Sequence, residues 1–130
     1  MKIKQFLRFA VIGTVVFVFE ALILLLLASE LHLGPEISRC ISFIPAVMAA
    51  WFLNRKFTFL SNKYLAWYKE LLRYIFVNLG GLASNFFSYF FFLYWFEVAK
   101  AYPLLALAGG SLTGMLLNFF ASKRFVFVRK

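Results

Sequence analysis

The chain has 130 residues and a formal net charge of +9, and 64% of its residues are hydrophobic, 22% aromatic and only 15% charged. A soluble domain is about 45–50% apolar and about a quarter charged, so five acidic residues beside 19 phenylalanines leave too little polar surface for a soluble fold. The composition therefore excludes a soluble enzyme and predicts a membrane protein.

Four apolar runs follow one another along the chain, over residues 9–29, 37–53, 71–96 and 103–121. They predict four transmembrane helices, because one span needs about 20 mostly apolar residues. Lys2, Lys4 and Arg8 precede the first run, as in a signal peptide. The run is longer than the roughly 7–15 residues of a signal core, and no clear cleavage site follows it. We therefore expect a retained helix.

The distribution of Lys and Arg predicts the orientation of the chain. Of the 14 basic residues, all but Arg39 and Lys100 lie before the first run, between the second run and the start of the third (up to Arg73), or after the fourth. Basic residues are retained on the cytoplasmic side of membranes, so both termini and the middle connection are predicted to be cytoplasmic. Because the basic residues flank the spans, we expect them to contact membrane lipid and not nucleic acid.

The two halves of the chain repeat one pattern. Asn-Arg-Lys-Phe-Thr-Phe at 54–59 closes the second run, and Ser-Lys-Arg-Phe-Val-Phe at 122–127 closes the fourth, 68 residues later. A two-helix unit returns to its starting side, so two copies must run parallel. The predicted fold is an all-α polytopic membrane protein with four transmembrane helices built from two parallel-repeat helical hairpins, at about 8–60 and 72–128 of a single domain spanning 1–130.

Glu20 lies in the middle of the first run. A carboxylate at that depth costs about 3 kcal/mol on insertion scales, so such a residue normally faces a partner or water. Three interpretations remain open: a structural carboxyl, a proton-coupling group, or a hydrogen-bonding group for a polar substrate.

Small and polar residues recur at four-residue spacing in the later spans and predict helix-packing seams. Asn78, Asn85 and Asn118 belong to these stripes, and three amides are more than packing requires, so a polar groove is the alternative. Arg39, near the outer end of the second span, either snorkels to the outer headgroups or pairs with Glu36, or it binds an anion.

The basic pairs of the repeated motif also have two interpretations. Arg55 and Lys56, and likewise Lys123 and Arg124, fit inner-leaflet anchoring beside an aromatic belt. Alternatively, they hold a lipid phosphate.

No catalytic motif, metal-ligand cluster or cofactor-binding motif is found, so no catalytic residue, metal or cofactor is predicted.

The pattern resembles the GtrA-like family of small bacterial membrane proteins over about residues 8–128. The resemblance rests on Arg8-Phe9 followed by Gly13 and Glu20, on residues 50–59, on Arg73-Tyr74 followed by Gly80-Gly81, and on residues 118–127. Its most specific part is the Asn-Arg-x-aromatic-Thr-Phe ending of the second span. The chain departs from the family at Glu20, where Asp is usual, and at Ser122, where Asn would be the closer copy of the first motif.

The resemblance implies a role in cell-surface polysaccharide synthesis, not an enzymatic activity. The implied function is to move a polyprenyl-phosphate-linked sugar from the cytoplasmic to the outer leaflet of the bacterial inner membrane. A membrane glycosyltransferase is the expected partner, and four helices barely enclose a path, so we expect a homo-oligomer. The candidate substrate-binding residues are Glu20, Arg39, Asn54, Arg55, Lys56, Asn78, Asn85, Asn118, Lys123 and Arg124.

Two other functions are compatible with parts of the pattern. The chain could be a non-transporting partner or anchor of a polyprenyl-phosphate glycosyltransferase, which its small size favours. A small multidrug exporter also has four helices and a glutamate in the first, but such exporters work as antiparallel pairs with balanced Lys and Arg. The charge bias of this chain argues against that second alternative.

Overall fold

The computed structural model describes residues 3–33, 35–59 and 66–127, and within these ranges the chain is helical and contains no strand. The chain divides into two compact units, Met1–Ser61 and Asn62–Lys130, called here the N-terminal and C-terminal units. Each unit pairs two long helices and ends in a short π-helical segment.

The N-terminal unit contains α1, Ile3–Ser29, and α2, Pro35–Leu53, which continues into a first π-helical segment, Asn54–Phe59. Ile12 and Val16 of α1 form a small apolar core with Ala46 of α2. Ser38 and Ser42 are fully buried in the same stripe of α2. The predicted packing seam of the second span is therefore a buried face of α2.

The C-terminal unit contains α3, Trp67–Trp95, a short α4, Glu97–Ala101, α5, Pro103–Ala121, and a second π-helical segment, Ser122–Val126. Glycines let α3 and α5 approach closely. A Cβ atom on Gly110 would lie 2.7 Å from the Asn85 carbonyl oxygen, and one on Gly114 would lie 2.8 Å from the Gly81 carbonyl oxygen. Such close backbone approach at small residues is the usual way in which helices associate within lipid.

The four apolar runs correspond to α1, α2, α3 and α5, with bounds that differ from the predicted ones by a few residues. Two features were not predicted. α4 occupies the expected outer connection, where Lys100 Nζ lies 2.6 Å from Glu97 Oε1. The π-helical segments form where the repeated basic-aromatic motifs lie.

Three helical stretches in the described part of the chain are long and apolar enough to cross a membrane: Ile3–Leu27, Trp67–Trp95 and Leu105–Val126. Their surfaces fit this environment, since large apolar side chains such as Phe87 and Tyr94 are 76% and 83% exposed. α2 is not among the three. A fourth span, the duplicated hairpin and the cytoplasmic termini remain predictions.

Candidate functional site

The basic-aromatic end of the N-terminal unit is held against the start of α1. Arg8 donates a hydrogen bond from Nη1 to the carbonyl oxygen of Phe57 at 3.3 Å, and Gln5 donates from Nε2 to that of Thr58 at 3.1 Å. The ring of Phe9 packs edge-to-face on that of Phe59, with centroids 5.9 Å apart. Two donors and one ring of α1 thereby fix the first π-helical segment.

The C-terminal unit has the corresponding contacts at its own end. Arg73 donates from Nη1 to the carbonyl oxygen of Phe125 at 3.4 Å, and the rings of Tyr74 and Phe127 lie 5.8 Å apart. Arg73-Tyr74 takes the place that Arg8-Phe9 has in the N-terminal unit. An arginine-to-carbonyl bond and an aromatic pair thus occur at corresponding positions in both units.

The local structure follows from the hydrogen bonds that a helix end lacks. The last carbonyl groups of a helix have no partner within it, and the guanidinium groups of Arg8 and Arg73 supply donors to one such carbonyl in each unit. Inside the first π-helical segment, Thr58 Oγ1 donates to Asn54 Oδ1 at 2.9 Å, and both residues are buried. Short π-helical turns are frequent at functional sites, because they reorient side chains relative to an α-helix.

The predicted basic residues differ in their surroundings. Cζ of Arg55 lies 5.4 Å from the centroid of the Trp51 ring, Nζ of Lys56 lies 5.4 Å from that of Phe57, and Cζ of Arg124 lies 5.9 Å from that of Phe125. These are cation–π distances. Lys123 is exposed. Arg55 therefore stacks on a buried ring, whereas Lys56 and Arg124 lie over exposed ones.

The three predicted groove amides lie in the C-terminal unit, and two of them are in the interface between α3 and α5. Asn85 Nδ2 lies 3.5 Å from Ser111 Oγ across this interface, and a Cβ atom on Gly81 would collide with the Asn118 side chain. Asn118 Oδ1 is buried and accepts no hydrogen bond from a described residue. Asn78 instead donates to the carbonyl oxygen of Tyr74, one turn earlier in its own helix, at 2.9 Å.

The remaining predicted site residues lie in the N-terminal unit. Glu20 is half-buried on α1, and its Oε1 atom is buried. Asn54 is 1% exposed, and its Oδ1 atom accepts the hydrogen bond from Thr58 inside the π-helical segment. Arg39 lies in α2, but its side chain is outside the described part of the structure.

Both arginines that contact the π-helical segments, and the carbonyl groups they contact, lie within the part of the chain that matches a known family. Residues 8–127 match the family described as GtrA/DPMS, transmembrane domain. The chain belongs to this family. The match begins at Arg8 and ends at Phe127, so it includes the arginine and aromatic contacts that close both units. Comparisons with curated proteins and with solved structures found no match.

Family membership confirms the GtrA-like resemblance and makes the chain a membrane protein of polysaccharide or glycolipid metabolism. The match is to a transmembrane domain and not to a catalytic one.

The predicted site residues did not include Arg8 and Arg73, although each contacts a π-helical segment. Both were noted for the family resemblance, but neither was assigned a role in binding. The available signal was that each arginine precedes an aromatic residue at the start of a half. Their carbonyl partners lie 49 and 52 residues away, a distance over which sequence periodicity carries no information.

Proposed function

We propose that this GtrA-family chain moves a polyprenyl-phosphate-linked sugar from the cytoplasmic to the outer leaflet of the bacterial inner membrane. The observation that carries the proposal is the recurrence of a basic π-helical end in both units. Lys56, Lys123 and Arg124 form no ion pair with a described carboxylate, so these cations are available to an anionic ligand.

The substrate sets a definite physical requirement. Sugar hydroxyls and a phosphodiester charge cannot enter hydrocarbon without partners, because each unsatisfied polar group costs several kcal/mol. The prenyl chain can stay in lipid, so the protein must accommodate only the headgroup. A few amides, one carboxyl and a small number of cations meet this requirement.

The proposal gives the candidate residues separate tasks. Arg55, Lys56, Lys123 and Arg124 collect the phosphate at the cytoplasmic surface, and Asn54 keeps the first basic end folded. Glu20, Asn78, Asn85 and Asn118 exchange hydrogen bonds with the sugar hydroxyls within the membrane. Arg39 receives the phosphate near the outer surface, where a guanidinium can make two parallel hydrogen bonds to it.

The proposed architecture has four spans in two parallel hairpins, with both termini and the middle connection cytoplasmic. The matched contacts of Arg8 with Phe57 and of Arg73 with Phe125 support a duplicated hairpin. The continuous helical stretch over residues 35–59 supports a span that begins with α2, because it exceeds the length of α2 alone. We further propose a homo-oligomer that acts with a membrane glycosyltransferase, which supplies the lipid-linked sugar.

The proposal is tested in cells whose surface polysaccharide depends on this chain. Glu20→Gln and Arg39→Ala are expected to abolish sugar exposure at the outer surface while membrane abundance is unchanged. Glu97→Gln and Lys100→Ala are the matched controls, since these residues form an exposed ion pair in α4, and they should have no effect. Full exposure with both test variants would contradict the proposal.

The same cells distinguish transport from the alternative role as a glycosyltransferase anchor. If the chain only anchors the enzyme, its deletion lowers the amount of lipid-linked sugar that is made. If it transports, deletion leaves the lipid-linked sugar in the membrane, and only its exposure at the outer surface is lost.

A further inference from the structure

The surface of the N-terminal unit has a groove of about 530 Å³ between α1 and the first π-helical segment. Six residues line it: Leu7, Arg8, Val11, Ile12, Lys56 and Phe57. Two of these are cations and four are apolar. The sequence pattern did not predict this pairing of two cations with an apolar wall, because it grouped Lys56 with its neighbour Arg55.

The two cations of the groove are available for an anion. Neither Arg8 nor Lys56 forms an ion pair with a carboxylate among the described residues. Arg8 uses one N–H group for the Phe57 carbonyl, and a guanidinium has five, so donors remain for a ligand. That bond also holds the guanidinium in place, which reduces the conformational entropy that anion binding would otherwise remove.

The apolar wall of the groove distinguishes it from a simple inner-leaflet anchor. Leu7, Val11 and Phe57 are 55%, 62% and 48% exposed beside the two cations. An inorganic anion would contact only the cations and would leave this wall unused. A ligand that carries a phosphate directly on a branched hydrocarbon chain would contact both.

We infer that this groove binds the phosphate and the first isoprene units of the polyprenyl-phosphate-linked sugar. Arg8 and Lys56 hold the phosphate oxygens, and Leu7, Val11 and Phe57 contact the chain. The inference rests on the proposed function for the identity of the ligand. It changes the assignment of the phosphate site, because Arg8 lines the groove with Lys56 and Arg55 does not.

The test is a binding measurement on the full-length chain in detergent, with native mass spectrometry as the readout and polyprenyl-phosphate glucose as the probe. Lys56→Gln removes one charge-assisted contact and should weaken binding by about tenfold or more. Val11→Asn should also weaken binding of the probe, because it makes the wall polar. Lys69→Gln is the matched control, since Lys69 is an exposed lysine of α3, and its binding should equal that of the unmodified chain.

Competition identifies the source of the phosphate. The inference expects that neither phosphatidylglycerol nor inorganic phosphate displaces the probe at equal concentration. Displacement by either one would overturn it, as would unchanged binding in both Lys56→Gln and Val11→Asn. Circular dichroism and gel filtration of each variant show that lost binding is not lost folding.

The failure of this inference and that of the proposed function are distinguishable. If the unmodified chain binds the probe through the groove but does not translocate it in vesicles, the groove is a binding site and the proposed transport is wrong. If the chain translocates the probe while Lys56→Gln and Val11→Asn bind and translocate it normally, transport stands and the groove is not the site.

Discussion

Gly114 lies where the backbone of α3 leaves no room for a side chain on α5. An added Cβ atom would be 2.8 Å from the Gly81 carbonyl oxygen and 3.0 Å from Asn85 Cβ. Because backbone cannot rotate away as a side chain can, the two helices would have to separate. The glycine is therefore required by packing, whatever substrate the chain carries.

Gly114→Ala is expected to destabilise the protein by about 1–3 kcal/mol through overpacking. Thermal unfolding in detergent, followed by gel filtration of the remaining folded fraction, measures this effect. Gly80→Ala is the control, because its Cβ atom would meet only the Leu117 side chain at 4.0 Å. Equal melting temperatures for the two variants would show that α3 and α5 are not so closely packed.

The buried hydroxyl of Thr58 gives a second prediction about the stability of the fold. Thr58→Val removes the donor to Asn54 Oδ1 inside the first π-helical segment. Loss of a buried hydrogen bond costs about 0.5–1.5 kcal/mol, so the melting temperature should fall. Thr14→Val should have little effect, since Thr14 is exposed and, among the described residues, bonds to Ala10 of its own helix. A smaller effect for Thr58→Val than for Thr14→Val would contradict the described geometry.

The three asparagines of the later spans were located by the sequence, but their contacts could not be predicted from it. Asn78, Asn85 and Asn118 were each compatible with packing and with a polar groove, because an amide in an apolar helix serves both. The structure puts Asn85 and Asn118 in the interface between α3 and α5 and bonds Asn78 to its own backbone. Their part in substrate binding stays a prediction.

Among the elements, the long helices were predictable and the π-helical segments were not. A run of apolar residues is a local signal, and it located α1, α2, α3 and α5 within a few residues. A π-helical end has no comparable local signal. In the N-terminal unit it is accompanied by donors from Gln5 and Arg8, which are 53 and 49 residues from the carbonyls they satisfy.

The arginine of each unit should therefore control the stability of the π-helical segment it contacts. Arg73→Gln replaces the guanidinium that donates to Phe125 with a shorter, neutral side chain and is expected to increase amide hydrogen exchange across Ser122–Val126. Exchange at Asn54–Phe59 should not change, because Arg8 supplies the donor there. Hydrogen–deuterium exchange with mass spectrometry resolves the two peptides.

The control for this measurement is Lys69→Gln, which removes an exposed charge one turn before Arg73. It should leave exchange in both segments unchanged. Unchanged protection of Ser122–Val126 in Arg73→Gln would mean that the guanidinium does not stabilise the second π-helical segment.

The topology of the whole molecule depends on whether α2 crosses the membrane. The described part of the chain contains three helices long and apolar enough to cross a membrane, whereas the Lys and Arg distribution predicts four crossings, with both termini and the middle connection on one side. Composition and charge thus predict a topology in which α2 is the second of four spans.

Cysteine labelling tests this topology directly. Starting from Cys40→Ser, single variants His32→Cys, Lys63→Cys and Lys100→Cys are treated in intact cells with a membrane-impermeant maleimide. We expect labelling at positions 32 and 100 and none at 63 until the membrane is permeabilised. Labelling of position 63 in intact cells would contradict a cytoplasmic middle connection.

Transport is measured most directly with the purified chain alone, in vesicles that contain polyprenyl-phosphate glucose. The fraction of this lipid that a sugar-oxidising reagent on the opposite face can reach is followed over time. We predict rapid exposure with the unmodified chain and with Glu97→Gln, and much slower exposure with Glu20→Gln. Exposure no faster than in protein-free vesicles, with the protein shown to be folded, would contradict transport.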